Sequence, residues 1–253
     1  MNKTEFKELQ DQFATLAYTY DRISKDGFIF DAKYTYYYKD VVKKRFKITE
    51  ENKMLQQIAI MLKNNKTEEE INLFIDDAKK KFADQMFKFD KKLEIIAPII
   101  KHLNEMSNEE IEEVEATYRN YAIMYHTDVK MSPSQNELQL FGLIRKLYFE
   151  NNLSGLQEIL NNSKNFLTPI EINEDDYIKY ANYFYDTDKT IKTDIKKKTD
   201  TYPYTKFEVF DDDIAIAREE GELRASVNKL SEMNQALHKD FVELFKKDVS
   251  FEE

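Results

Sequence analysis

Four glycines and four prolines in 253 residues leave this chain few places to turn. Glycine and proline are the usual punctuation of short strands and tight loops, so their scarcity predicts long, uninterrupted helices and an all-α fold. A compact enzyme of this size spends more glycine on turns and ligand loops, so no enzymatic activity and no cofactor are expected. Cysteine is absent, which excludes disulfides and thiolate metal sites and fits a reducing cytoplasm. The opening Met1-Asn2-Lys3-Thr4-Glu5-Phe6 lacks the apolar core of a signal peptide. No run approaches the roughly 20 apolar residues of a membrane span. A formal charge of -10 and a pI of about 5.1 repel phosphates, so neither membrane nor nucleic acid is an expected partner.

Apolar periodicity lays out the helices. Phe6, Leu9, Phe13, Leu16, Ala17 and Tyr20 recur at three and four residues within Thr4 to Ser24, with Gly27 as the expected break. Asp31 to Phe46 and Thr49 to Leu62 read as a second long helix, either continuous or restarted at Thr49. Asn64-Asn65-Lys66 is a turn, and Thr67 with Glu70 is a capping box. The helix it opens carries Ile71, Phe74, Ile75, Ala78, Phe82, Met86, Phe89 and Leu93 on one stripe, with Pro98 as a kink or an end. Ser107 and Glu110 form a second capping box for a helix reaching Tyr125. Gln135 to Glu150 and Leu153 to Leu160 are the next helices, and Thr168-Pro169 marks a boundary.

Two heptad seams follow. Tyr177, Ala181, Phe184, Asp188, Ile191, Ile195, Lys198 and Tyr202 alternate spacings of four and three, and Leu223, Val227, Leu230, Asn234, Leu237, Phe241 and Leu244 repeat the pattern. Tyr202-Pro203-Tyr204-Thr205 separates them. Joined by so short a loop, they predict an antiparallel coiled-coil hairpin, each arm short enough to pack on the rest of the chain.

Between these regions, an amphipathic helix ends in Tyr125-His126-Thr127-Asp128-Val129 and a second helix begins near Gln135. Ile111, Val114, Tyr118, Tyr121, Ala122 and Tyr125 on the first face Leu138, Phe141, Ile144, Arg145 and Tyr148 on the second. Such a helical hairpin buries its facing stripes and leaves the connecting loop exposed. Tyr118-Arg119, five residues, then Tyr125-His126-x-Asp128 resembles the signature of the J-domain of DnaJ-type co-chaperones. The run Leu147-Tyr148-Phe149-Glu150-Asn151-Asn152-Leu153 looks like a diverged bacterial J-like group that carries a C-terminal coiled-coil hairpin. The resemblance covers about Ser107 to Asn162. It implies that His126, Thr127 and Asp128, with basic Arg119 and Lys130 nearby, form a partner-binding surface for a DnaK-type chaperone.

Two features depart from that pattern. Thr127 stands where the family has proline, which would stiffen the loop; its hydroxyl is free to cap the next turn instead. Nine acids against four bases between Ser107 and Ser163 put a net -5 on the docking region. The expected function is therefore a J-domain-like adaptor or scaffold, or a co-chaperone with weakened or lost ATPase stimulation, acting on an unnamed protein partner or client. Two alternatives stand beside it: a structural protein that forms homo-oligomers through the coiled coil, and a metal-dependent or acid/base enzyme using His126 and Asp128.

His102, His126 and His238 lie in separate segments with no metal-ligand spacing, and no phosphate-binding glycine loop is present. Tyr34 to Tyr38 packs four tyrosines into five positions, read as core with an amphipathic rim or as a protein-binding patch. Lys39, Lys43, Lys44, Arg45 and Lys47 form a basic cluster, read as a solvated face or as a contact for an acidic partner. Asp211-Asp212-Asp213 reads as the N-cap of the last helix. The expected divisions are an N-terminal helical region 1–106, a J-like hairpin 107–165 and the coiled-coil hairpin 166–253.

Overall fold

The structure, a computed structural model, describes residues 1–163 and 170–245. Among these residues there are eight α-helices and no strand, so the chain is all-α. The helices are α1 (Lys3–Tyr37), α2 (Lys39–Lys63), α3 (Glu68–Glu105), α4 (Asn108–Tyr125), α5 (Gln135–Phe149), α6 (Leu153–Ser163), α7 (Tyr177–Thr199) and α8 (Asp213–Phe245). The Thr168-Pro169 boundary and the side chain of Leu244 lie outside the described residues.

Local chemistry explains where helices start and stop. Thr67 and Glu70 exchange side-chain and backbone hydrogen bonds at the head of α3, as do Ser107 and Glu110 at α4. Ser134 and Glu137 form a third capping box at α5, and the Asp212 carboxylate accepts from the Ala215 N–H at 2.7 Å to open α8. With glycine so scarce, asparagine takes the left-handed position past two helix ends, Asn65 at φ 55° and Asn151 at φ 51°.

Two expected helix ends do not occur, the continuous of the two readings holds at Thr49, and a break falls at Tyr38, inside the helix expected from Asp31. α1 runs through Gly27, α2 through Thr49 and α3 through Pro98. Pro98 sits on the exposed face, where the carbonyl it strips of a partner is solvated. Gly27 serves an approach rather than a break. A Cβ there would lie 3.3 Å from Tyr204 Cε2 and 3.4 Å from Pro203 Cγ, so the missing side chain lets the Tyr202–Tyr204 loop rest on the helix.

The chain divides into two compact units, Met1–Ala32 with Ile99–Lys206 and Lys33–Pro98 with Phe207–Glu253. Both are discontinuous, and segments 1–106 and 166–253 each contribute to both.

The first unit holds two apolar clusters. One joins Val114, Tyr118, Tyr121 and Ala122 of α4 to Phe141, Ile144 and Tyr148 of α5, with Leu156 and Tyr18 closing it. These are most of the facing stripes read from the sequence; Leu138 is exposed, and Ile111 and Arg145 lie outside the cluster. The other cluster joins Phe6 and Phe13 of α1 to Tyr177, Phe184 and Ile191 of α7. Phe6 stacks on Tyr177 at 4.1 Å and Phe13 on Phe184 at 4.6 Å, and Tyr202 donates to Asp31 at 2.9 Å. All three pairs share a sequence offset of 171, so α1 and α7 run parallel.

The second unit repeats this arrangement with other helices. Tyr38 reaches the Ile216 carbonyl and Asn52 the Leu230 carbonyl, both at an offset of 178, so α2 and α8 also run parallel. Asn234, in the α8 seam, donates to Glu51 at 3.3 Å, a polar contact of the kind that fixes register. Met54, Leu55, Ile58, Ile71, Ile75 and Phe241 form the core where α3 joins the pair.

The C-terminal seams are thus covered by N-terminal helices. The α7 seam lies on α1 and the α8 seam on α2. Each seam has as its partner a parallel N-terminal helix of its own unit. The reason lies in the partners: α1 offers phenylalanines in register with the α7 aromatics, and each buried ring contributes about 1.5–3 kcal/mol.

Candidate functional site

The His126–Asp128 turn is the most distinctive chemistry in the chain, and α1 determines its surroundings. Tyr18, Asp21 and Lys25 recur at three and four residues, forming a face of α1 that meets α4 and α5 and is buried throughout. Asp21 and Lys25 are each only 2 % exposed, a costly place for charges unless they are paired.

Both are paired, in two adjoining groups. Asp21 Oδ2 accepts from the Tyr118 hydroxyl at 2.5 Å and lies 3.1 Å from His126 Nε2. Arg145 Nε sits 2.8 Å from Asp21 Oδ1 as an ion pair. In the second group Lys25 Nζ donates to Glu115 Oε1 at 2.6 Å, and the Tyr148 and Tyr18 hydroxyls donate to Oε2 at 2.7 and 3.3 Å. Lys25 also lies 4.0 Å from the centre of the Tyr148 ring. Each group pairs one carboxylate with one cation.

Burial raises the ionisation of Tyr118 and Tyr148 well above the usual phenol range, and the neighbouring carboxylates Asp21 and Glu115 push the same way. Burial also lowers the Lys25 ammonium despite its bond to Glu115.

His126 is committed at both ring nitrogens. Nδ1 accepts the Asp128 backbone N–H at 3.1 Å, which makes Nε2 the protonated nitrogen that donates to Asp21. His126 closes α4 and caps the 3-10 turn Thr127–Val129. The cap is thus the imidazole, where the Thr127 hydroxyl was expected. Val129 enters the α1–α7 cluster, and the Tyr183 hydroxyl donates to the Asp128 carbonyl at 2.8 Å.

The start of the loop is therefore buried, against the expectation of an exposed one, with His126 2 % and Thr127 6 % exposed, while Asp128, Ser132 and Ser134 stay exposed. A chain of hydrogen bonds and one apolar anchor pulls it onto α1 and α7. The Asp128 carboxylate stays half exposed, 3.9 Å from His126 Nδ1, and Arg119 is exposed. Lys130 is tied to Glu137, which draws that carboxyl down to about 2. The structure thus keeps His126, Thr127, Asp128 and Lys130 along one turn and leaves Arg119 apart from their hydrogen bonds.

Asp21, Lys25 and Glu115 were not legible as site residues. Their spacing places them on helix faces, but only the tertiary fold shows those faces to be interior. An aspartate, a histidine and a tyrosine in contact resemble an acid/base relay, yet His126, Asp21 and Tyr118 are buried and the principal surface grooves are lined by other residues. Among the described residues no cluster of His, Asp or Glu is placed to hold a metal, and no helix is long and apolar enough to cross a membrane. No protein family, curated protein or solved structure matches this chain.

Proposed function

We propose that this chain is a non-catalytic helical adaptor with a J-domain-like hairpin, in which the His-Thr-Asp turn has become an internal clasp. The commitment of both His126 ring nitrogens carries this reading. A histidine that anchors α4 to Asp21 is withdrawn from any docking partner, and the acidic surroundings disfavour an acidic chaperone surface. What remains suits protein binding: long helices and exposed apolar side chains on several faces, including Leu73, Phe87 and Ile95 of α3.

One observation favours retained co-chaperone activity: the Asp128 carboxylate is half exposed. The ATPase rate of the host's DnaK-type chaperone, with and without this protein, separates the two. The adaptor reading expects no stimulation, together with specific capture of another host protein. A several-fold rise that is lost in Asp128→Asn overturns it in favour of the co-chaperone, and failure of the intact chain to retain any host protein overturns the adaptor role itself.

A further inference from the structure

The two ring nitrogens of His126 respond differently to an added proton. In the neutral ring Nδ1 accepts the Asp128 N–H at 3.1 Å, and Nε2 donates to Asp21 Oδ2 at the same distance. An imidazolium carries a proton on both nitrogens and accepts nothing. Protonation therefore leaves the Nε2 bond to Asp21 in place but turns Nδ1–H and the Asp128 N–H into two facing donors. The cap of the 3-10 turn Thr127–Val129 is lost with that bond.

A replacement acceptor stands beside it. Asp128 Oδ2 lies 3.9 Å from His126 Nδ1 on a side chain that is half exposed. A charge-assisted N–H···O bond forms at about 2.8 Å, so a closure of roughly 1 Å completes it. The surrounding charges make Asp128 the counter-ion. From α1 the ring faces Asp21, and from α4 the Tyr118 hydroxyl shares that carboxylate. From α5 come the Phe141 ring at 4.5 Å and Arg145, already paired with Asp21. Lys130 and Glu137 neutralise each other, and from α7 the Tyr183 hydroxyl reaches the Asp128 carbonyl. With Asp21 and Arg145 in balance, a proton on His126 leaves one positive charge at a residue only 2 % exposed, and Asp128 is the carboxylate placed to cancel it.

We propose that His126 and Asp128 form a proton-operated switch, in which acidification moves the Nδ1 contact from the Asp128 N–H to the Asp128 carboxylate and opens the Thr127–Val129 turn. This rests on the clasp reading above and supplies its regulation. Histidine is the side chain whose charge changes between about pH 5 and 8. The turn is also held by Val129 in the α1–α7 cluster and by Tyr183 at the Asp128 carbonyl, so its opening loosens the contact with α7.

The test is NMR of the full chain from about pH 8 to about pH 5, reading the His126 ring nitrogens and the Asp128 amide together. At the upper end Nδ1 is expected to be bare and Nε2 protonated. On acidification both nitrogens are expected to carry protons, while protection of the Asp128 amide, normalised for the pH dependence of exchange itself, falls about ten-fold or more. Asp128→Asn keeps the backbone N–H but removes the counter-charge, and is expected to lower the pH of the transition by about one unit. His126→Asn supplies an acceptor that does not titrate, and is expected to leave the Asp128 amide equally protected across the range. Circular dichroism reports the helicity of each variant over the same range.

A ring that stays neutral throughout, ionisation that leaves Asp128 protection unchanged, or a transition unmoved in Asp128→Asn overturns the proposal. So does a loss of protection in His126→Asn that matches wild type. Loss of helicity at or before the ionisation of His126 overturns it as well, because the turn then opens with the fold rather than by itself. Each of these outcomes leaves the adaptor reading intact, since capture of a host protein at neutral pH tests that separately.

Discussion

Tyr118 and Tyr148 stack face to face, ring centres 3.8 Å apart and planes 3° from parallel, while their hydroxyls serve different carboxylates. Tyr118 donates to Asp21 and Tyr148 to Glu115. The pair is the partition between two buried charge groups, and it ties α4 to α5 with each residue also reaching α1. Removing a charge from either group exposes the cost of burying the other.

Asp21→Ala leaves Arg145, the Tyr118 hydroxyl and His126 Nε2–H without their common acceptor. It is expected to cost about 2–4 kcal/mol, because it strands two buried donors and leaves the part-exposed Arg145 without its ion pair. Urea unfolding measures the loss. The double variant Asp21→Leu with Arg145→Met removes both charges and is expected to recover a large part of it; a double variant no better than Asp21→Ala refutes the pairing.

Tyr148→Phe keeps the stacked ring and deletes one donor to Glu115. An expected cost of about 1–2 kcal/mol separates hydroxyl from ring, and Tyr148→Ala is expected to cost about 3–5 kcal/mol by leaving a cavity. Equal losses for the two variants contradict the stacking as described.

The alkaline limb of stability is expected to be steep. Tyr118, Tyr148 and Tyr34 are raised chiefly by burial, and Tyr204 to about 12 for the same reason. In the unfolded chain tyrosine loses its proton near pH 10. These groups therefore contribute stability that is complete below about pH 10 and is lost as pH rises toward their folded values. Lys25, lowered in the fold, acts in the opposite sense, its penalty easing as pH rises toward its unfolded value of about 10.4. At the acid end Glu137, held near 2 by Lys130 and the Ser134 cap, contributes stability above its ordinary 4.5 that is lost as pH falls toward 2. Tyrosinate absorbance followed beside circular dichroism checks the alkaline part: the buried tyrosines are expected to ionise only as helicity collapses.

Gly27 and Gly221 are expected to respond oppositely. A Cβ at Gly221 meets nothing within 4 Å, so Gly221→Ala gains helix propensity and about 0.5–1 kcal/mol. At Gly27 the same change offsets that gain against Tyr204 and Pro203, and Gly27→Leu is expected to cost about 1–3 kcal/mol by lifting the loop from α1. Thermal unfolding of the three variants tests this.

Thr127→Pro is expected to leave stability within about 1 kcal/mol of wild type although the position is buried. Thr127 opens the 3-10 turn, where proline's fixed φ and missing N–H are tolerated, and His126 at φ -58° and ψ 127° already has the extended conformation a following proline requires. A large loss, read by denaturant titration, contradicts this account of the turn.

The sequence by itself determined the local matters: the helical class, the capping boxes at Thr67 and Ser107, the apolar stripes of α3, α4 and α5, and the two C-terminal seams. Each is a relation between residues three to seven apart, and helix geometry makes such relations readable. Tertiary structure alone decided what those surfaces meet. Tyr118 finds Asp21 at a separation of 97 residues, His126 finds it at 105, and Lys25 finds Glu115 at 90. No periodicity reports on such distances, so a turn expected to be exposed has its His126 and Thr127 buried, and the two seams find their cover in α1 and α2. A seam specifies that it must be covered; the shape and register of the competing partner helices decide by which one.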